Sequence, residues 1–245
     1  MPLMFSKLTD YMEKLEKTPS YLEKTQLIVN LLKETPPADM NSVILLLLGR
    51  VFPAYVSLEL GIGVQLVKRA VASATGYDIN IVEKEFEKTG DLGIVVQKLL
   101  ERKRQVTLFK KLLTAKRVHE TLAKIPEITG SGSQDLRINS VIGLLNDAEP
   151  LEAKFIVRTV LGESRTGVAE GRLRDAIANA FNVPPELVEQ AYTFLNDYGE
   201  VAKIAVEEGA KGLEKVGPII GRPSNVMLAQ RVETIEEILE RMGGK

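Results

Sequence analysis

Three short loops place glycine beside serine, threonine or a basic residue directly before a predicted helix. They read LGIG at 60–63, TGSGSQ at 129–134 and ESRTG at 163–167. A helix start exposes free backbone N–H groups and a partial positive charge, and glycine lets an anion come close to the main chain. A nearby lysine or arginine adds a full charge. Each loop is therefore a candidate phosphate site, although composition alone favours an ordinary cap or turn, because such residues are common between helices.

The candidate phosphate-binding residues lie in these loops or in the first turns of the helices that follow. They are Gly61, Gly63 and Lys68 at the first loop, Gly130, Gly132, Ser133 and Gln134 at the second, and Arg165, Thr166 and Gly167 at the third. Contacts of this kind hold a phosphate backbone without reading bases. The candidate sites thus suit a nucleic-acid backbone bound without sequence preference.

Nothing in the sequence predicts a catalytic residue or a metal centre. The 33 acidic residues are scattered over helix surfaces, and no pair of them falls in an identifiable apolar cleft. The single histidine, His119, has no recognisable partner, so packing explains it better than general base catalysis does. The chain has no cysteine, which excludes disulfides, thiolate zinc sites and cysteine nucleophiles. GIG at 61–63 lacks the preceding strand of a dinucleotide-binding motif, and no Walker loop occurs.

Composition limits the classes of partner. A formal net charge of −1 leaves no global basic bias, so any nucleic acid must be bound through local patches. The 44% hydrophobic content supports a sizeable core. The first residues lack the apolar segment of a signal peptide, and the longest apolar run, VILLLL at 43–48, is too short to span a bilayer. We expect a monomeric cytoplasmic protein with no membrane partner.

Helical periodicity extends over almost the whole chain. Leu8, Tyr11, Met12 and Leu15 recur at spacings of three and four residues, and similar stripes follow further on. Clusters of Gly, Pro, Asn and Asp divide the chain into segments of about ten to fifteen residues, a usual length for a globular helix. Alternating strand patterns are essentially absent. The prediction is an all-α domain.

The sequence also contains a weak internal repeat. A shift of 106 residues places Gly61 on Gly167, and upstream a shift of 113 places Pro37 on Pro150. The seven extra residues of the first copy fall within RVFPAYVSLE at 50–59. Helical sequences also align by chance through shared Leu and Ala, but the matched glycines and proline favour a true duplication. A duplicated unit most naturally packs as a pseudo-two-fold pair.

The repeat predicts the organisation of the chain. Two copies of a roughly four-helix unit span residues 5–93 and 118–199, and a connector at 94–117 joins them. Together they make up one helical domain, 1–216, and residues 217–245 are a linker.

The connector holds the densest group of basic residues, seven between Arg102 and Arg117. Gln105, Leu108 and Phe109 lie among them. One interpretation is a solvated loop that folds its two apolar side chains back onto the core. The other is a peptide that docks its glutamine and apolar side chains into a pocket of a partner. Both interpretations stay open at this point.

Longer stretches carry a family resemblance. They are ELGIGVQLVKRAVASATG, TGDLG, TLAKIPEITGSGSQDLRI, DAEPLEAKFIVRTVLGESRTGVAEGRLRDAIANAF and DYGEVAKIA. In these stretches, and over nearly its whole length, the chain resembles the N-terminal DNA-binding domain of archaeal and eukaryotic-type ATP-dependent DNA ligases, the archaeal members most of all. The tail departs from the family at Val226, where a P-M-L-A sequence normally has proline.

The resemblance implies an all-helical domain with pseudo-two-fold symmetry that binds nicked duplex DNA on its minor-groove side, through phosphates on both sides of the nick. In these ligases, which act in replication, repair and recombination, nucleotidyltransferase and OB-fold domains complete a ring around the DNA. Their catalytic lysine lies in a K-x-D-G motif, and this sequence contains none. We therefore expect a piece of a longer ligase that binds DNA without sealing it. ATP and Mg²⁺ would belong to other domains, toward which 217–245 leads.

The resemblance also implies a partner for the connector. Archaeal relatives carry a short motif there that binds a sliding clamp. Gln105 supplies its leading glutamine, and Leu108 and Phe109 supply its Leu-Phe ending, although the second aromatic residue often seen is missing. We therefore expect sliding-clamp binding through these three residues.

Two other function classes would also fit a helical chain. A helical protein–protein adaptor would present a broad apolar groove and would not bind DNA. A stand-alone helical nuclease or repair enzyme would need clustered carboxylates and a metal. A salt-dependent gel shift separates a DNA ligase fragment from both.

Overall fold

Twelve α-helices make up most of the part of the chain that the computed structural model describes, which is residues 1–102, 110–224 and 234–235. Their bounds are α1 (Phe5–Lys17), α2 (Tyr21–Glu34), α3 (Met40–Leu47), α4 (Val64–Thr75), α5 (Ile79–Thr89), α6 (Leu92–Arg102), α7 (Ala115–Ala123), α8 (Ser133–Asp147), α9 (Pro150–Leu161), α10 (Glu170–Phe181), α11 (Pro185–Leu195) and α12 (Tyr198–Glu214). Within these residues the only β pairing is one antiparallel bridge between Met4 and Thr114. The all-α prediction is confirmed.

Helix ends follow local sequence signals. Ser20 and Asp78 cap α2 and α5, and each side chain accepts a hydrogen bond from a backbone N–H of the first turn. Gly76 ends α4 with a φ of 76°, a left-handed conformation that glycine adopts without strain. Pro185 stands in the first turn of α11, where the missing N–H is tolerated. These residues place the boundaries that the loops between helices depend on.

Helices from the two predicted repeats pack across one another. α4 packs on α8, and α10 packs on α2, so each pair joins one helix from either half of the chain. The same holds for α6 with α9 and for α12 with α3. One continuous hydrophobic core results, with Phe5, Ile44 and Phe155 among its fully buried side chains. Neither half therefore buries its apolar faces alone.

Three helices of the first half have counterparts in the second half that begin at positions shifted by the same number of residues. α4, α5 and α6 begin at residues 64, 79 and 92, and α10, α11 and α12 begin 106 residues later, at 170, 185 and 198. Two glycines show the same equivalence. A Cβ on Gly93 would lie 2.8 Å from the carbonyl oxygen of Lys154, and a Cβ on Gly199 would lie 2.7 Å from the Cα of Asn41. A duplicated unit would give this pattern, and duplication itself stays a prediction.

The helices overrun the predicted repeat boundaries. α6 continues to Arg102 because Val95, Val96 and Leu99 extend its buried stripe into the segment taken as a connector. α12 extends to Glu214, beyond the predicted end of the second copy at 199, and is interrupted by a kink at Gly209, whose φ of 65° is not helical. The segment 50–59 lies in the long loop between α3 and α4. None of the described helices is both long enough and apolar enough to cross a membrane.

Candidate nucleic-acid interface

The loops at 60–63 and 129–134 meet in the structure, although about seventy residues separate them. Arg137 joins them. Its Nε and Nη2 donate to the carbonyl oxygen of Ile128 at 3.1 and 2.8 Å, and its Nη1 lies where a Cβ on Gly61 would be only 2.5 Å away. Gly61 also has a φ of 64°, a left-handed backbone conformation that favours glycine. We call these two loops together with Arg137 the first seat.

The helix starts of the first seat are open. Gly63 and Gly132 are the N-cap residues of α4 and α8, and neither supplies a side-chain acceptor to the first-turn N–H groups. A Cβ on either glycine, or on Gly130, would meet nothing within 4 Å. Gln134 is exposed and Ser133 partly buried at the start of α8. The first seat thus leaves backbone donors accessible to an anion from solvent.

Lys68 has a different environment from the one expected. It is buried on α4, its ammonium lies 3.4 Å from the carboxylate of Glu83, and the same ammonium lies 5.1 Å from the ring centre of Phe86. These contacts direct its charge toward α5 rather than toward the loop at 60–63. We therefore leave Lys68 out of the interface proposed below.

The loop at 163–167 packs on α2. Lys24 Nζ donates to the carbonyl oxygen of Thr166 at 2.9 Å, and Arg172 Nη1 donates to that of Gly167. Gly167 has a φ of 64°, and a Cβ there would lie 2.6 Å from Lys24 Nζ. The N-cap of α10, Ala169, again supplies no side-chain acceptor. We call residues 163–167 with Lys24 and Arg172 the second seat.

Thr166 and Arg165 have unequal access to solvent. Thr166 is buried, and its hydroxyl donates to the carbonyl oxygen of Leu47 at 3.2 Å, so it fastens the loop to α3. The side chain of Arg165 is 45% exposed. Its Nε lies 3.5 Å from a carboxylate oxygen of Asp91, and its Nη2 lies 3.7 Å from one of Glu163. Arg165 can reach an external anion, but its charge is already shared.

A buried cluster of charges lies behind Arg165. Asp91 is fully buried and accepts a 2.7 Å hydrogen bond from Arg158 Nη2. Arg158 donates two more, each 3.0 Å long, to Glu16, which also accepts one of 2.7 Å from Lys154. Burial alone would raise the pKa of Asp91, but the hydrogen bond and charge of Arg158 outweigh it and lower the pKa. The cluster fixes α1, α6 and α9 beneath the second seat.

The two seats are built alike. Lys24 and Arg137 are 113 residues apart, and Gly61 and Gly167 are 106 apart, the two shifts found in the sequence. In each seat a basic side chain from one half of the chain lies against a positive-φ glycine from the other half. Sequence reasoning missed Lys24, Arg137 and Arg172, although the shift of 113 pairs the first two.

A cavity of about 720 Å³ connects the neighbourhoods of the seats. The long loop 49–63 and the end of α9 line it. Gly61 and Gly63 of the first seat belong to the lining, as does Gly162, which directly precedes the second seat. Gly49, also in the lining, is so close to Ser164 of the second seat that a Cβ on the glycine would lie 2.5 Å from that of the serine. The surface between the seats is therefore concave.

His119 has packing contacts. Its Nδ1 lies 3.1 Å from the hydroxyl of Ser42, and its Nε2 lies 2.8 Å from the carbonyl oxygen of Val51, so it links α7 to α3 and to the long loop. Over residues 1–102, 110–224 and 234–235, no three His, Asp or Glu side chains are grouped so that they could hold a metal ion.

The predicted clamp-binding residues, Gln105, Leu108 and Phe109, lie outside the residues that the structure describes. Just after them, Lys110 is anchored by the carbonyl oxygen of Ala148 at 3.2 Å and by the carboxylate of Glu149 at 3.1 Å. The clamp motif stays a prediction.

Comparison with known proteins shows extensive similarity to archaeal DNA ligases. The family described as DNA ligase N terminus matches residues 4–178. The DNA ligases of Thermococcus onnurineus, Methanothermobacter thermautotrophicus and Nanoarchaeum equitans are 45%, 41% and 46% identical to the chain over 243, 241 and 239 residues. The alignments cover 98–99% of this chain and 42–43% of the relatives. The chain therefore spans about two fifths of the length of these relatives.

Proposed function

Because the chain belongs to the family of DNA ligase N-terminal regions, we propose that it binds nicked duplex DNA through backbone phosphates, as the DNA-binding part of an ATP-dependent DNA ligase. The first and second seats would hold these phosphates. Their surfaces consist of open helix starts, positive-φ glycines and basic side chains, which suit an anionic backbone and offer no pattern for reading bases.

The observation that carries the proposal is the presence of two equivalent seats. Each brings together a glycine loop from one half and a cation from the other, Gly61 with Arg137 and Gly167 with Lys24. The two strands of a duplex are themselves related by local two-fold axes, so equivalent seats can contact both backbones in the same way. The concave surface between the seats leaves room for the curved face of the duplex. The resemblance to DNA ligases implies that this face is the minor-groove side.

The remaining activities of a ligase would lie elsewhere in the protein. The sequence holds no K-x-D-G motif, so we propose that nick sealing, with ATP and Mg²⁺, takes place on parts of the ligase other than these residues. A role in replication, repair and recombination follows from the same family proposal. Binding of a sliding clamp through Gln105, Leu108 and Phe109 is proposed on the sequence motif alone. The chain itself would act as an intracellular monomer.

Titration of nicked and intact duplexes of two unrelated sequences at several salt concentrations tests this proposal. We expect similar affinities for both sequences and a log–log salt slope of about −0.9 for each phosphate contact. Binding to one sequence only, or a slope near zero, would contradict phosphate contact. No binding at any salt concentration would favour the helical adaptor instead.

A further inference from the structure

The second seat contains two cations that have no carboxylate partner. Lys24 and Arg172 donate to the consecutive carbonyl oxygens of Thr166 and Gly167. Within the described part of the chain, neither side chain forms an ion pair, whereas the neighbouring Arg165 shares two carboxylates. The seat thus holds two uncompensated positive charges side by side.

This arrangement is unfavourable in the free protein. Burial and, next to it, the positive charge of Arg172 lower the pKa of the Lys24 ammonium. The Arg172 guanidinium lies over the ring of Tyr21, 4.9 Å from its centre, and its Nε is buried without a hydrogen-bond partner. Like charges at close range repel, and an anion placed between them would replace that repulsion by attraction.

Both side chains keep donors for such an anion. An ammonium has three N–H donors and a guanidinium has five, and only one of each is used on the loop carbonyls. Held by the loop, the two groups would not have to be ordered again on binding, which lowers the entropy cost of the contact.

We propose that Lys24 and Arg172 are the main phosphate-binding residues of the second seat, and that this seat binds a phosphodiester group more strongly than the first. The inference rests on the proposed function. Arg165 would contribute less, because Asp91 and Glu163 share its charge.

The two repeat shifts show why the seats differ in their number of free cations. Arg137 occupies the position equivalent to Lys24, but Leu66 occupies the one equivalent to Arg172. The first seat therefore has one such cation, and Arg137 already gives two donors to the carbonyl oxygen of Ile128.

The test compares two double variants with the same change in net charge. Lys24→Gln with Arg172→Gln removes the pair, and Lys33→Gln with Lys203→Gln removes two exposed lysines of α2 and α12. In a salt titration of duplex binding, the magnitude of the log–log slope should be smaller by about 1.8 for the first variant, which loses two contacts of about 0.9 each. The second variant should keep a slope near that of the unsubstituted chain. Arg137→Gln should reduce the magnitude of the slope by at most about 0.9.

The outcomes separate this inference from the function on which it rests. If the unsubstituted chain binds duplex DNA and the Lys24/Arg172 variant keeps its slope, or if the Lys33/Lys203 variant loses as much, the inference is wrong and the proposed function stands. If the unsubstituted chain does not bind, both are wrong. Circular dichroism checks the fold. Should the double variant unfold, each single variant carries the same test, with an expected loss of about 0.9 in slope.

Discussion

Replacement of Asp91 by asparagine should destabilise the chain through one buried ion pair. The substitution keeps the size of the side chain and an oxygen that can accept the 2.8 Å hydrogen bond from the backbone N–H of Gly93. It places an amide NH₂ or a neutral oxygen where Arg158 now meets a carboxylate at 2.7 Å. Arg158 is buried, so its charge loses a partner that solvent cannot replace.

The expected loss in the free energy of unfolding lies at the lower end of the range for such substitutions. Removing one partner of a buried pair costs about 3–5 kcal/mol. Arg158 keeps both hydrogen bonds to Glu16, so we expect about 3 kcal/mol, the low end of that range. In a protein of this size each kcal/mol shifts the melting temperature by about 2–4 °C, so the melting temperature should fall by roughly 6–12 °C.

Asp197 provides a matched control 106 residues later. It caps α12 as Asp91 caps α6, with a 2.8 Å hydrogen bond from the N–H of Gly199, but its other oxygen accepts from the neutral amide of Asn41. Burial, more than anything else, raises its pKa, so the charged form is disfavoured in the folded protein. Asp197→Asn should therefore cost less than about 1 kcal/mol.

Urea unfolding followed by circular dichroism measures both variants. The pKa of Asp91 is lower in the folded than in the unfolded chain, so its contribution is present at neutral pH and is lost as the pH falls through the folded pKa. The difference between the unsubstituted chain and Asp91→Asn should accordingly shrink below about pH 4, where the carboxyl is protonated in the unfolded chain. Equal losses for Asp91→Asn and Asp197→Asn, or a difference that does not change with pH, would refute this reasoning.

Further predictions concern the loops and the missing chemistry. Gly167→Ala should destabilise the chain by about 1–2 kcal/mol because of its positive φ, and it should weaken DNA binding because the new Cβ would displace Lys24 Nζ. Gly171→Ala, in the first turn of α10 with open space around it, should instead stabilise the chain by up to about 1 kcal/mol. Melting curves and a gel shift compare the two variants. Phe109→Ala should abolish binding to a sliding clamp in a pull-down and leave the melting temperature unchanged; a loss of about 3–5 kcal/mol would instead show that Phe109 packs on the core. Mass spectrometry after incubation with ATP and Mg²⁺ should find no added AMP on any lysine.

Local signals in the sequence were sufficient to predict the helices. The apolar stripes, the glycine ends and the proline starts are properties of neighbouring residues, and the helices follow them. α6 extends past the predicted end of the first repeat for the same reason, since Val95, Val96 and Leu99 continue a helical stripe that the repeat alignment did not use. The environment of Lys68 could also have been predicted, because it shares the buried face of α4 with Val67 and Val71.

The composition of the seats could not be predicted in the same way. Lys24 donates to a carbonyl 142 positions away, and Arg137 lies against a glycine from the other half of the chain. Such contacts depend on which helices pack together, and this is decided by the whole core rather than by any local pattern. The predicted internal repeat would have given part of this composition, since the residues of one seat, once known, predict the equivalent residues in the other half.

The crossed packing of α2 with α10 and of α4 with α8 has a consequence for cooperativity. In each seat a glycine loop from one half of the chain lies against a basic side chain from the other half, so a seat exists only while both halves are folded together. A cut between α6 and α7 would give two fragments that each lack part of both seats and part of their core. The fragments would have to associate before either seat could form, so the mixture would recover DNA binding and helical structure at the same concentration. Loss of structure and loss of binding should likewise coincide in one transition of the intact chain.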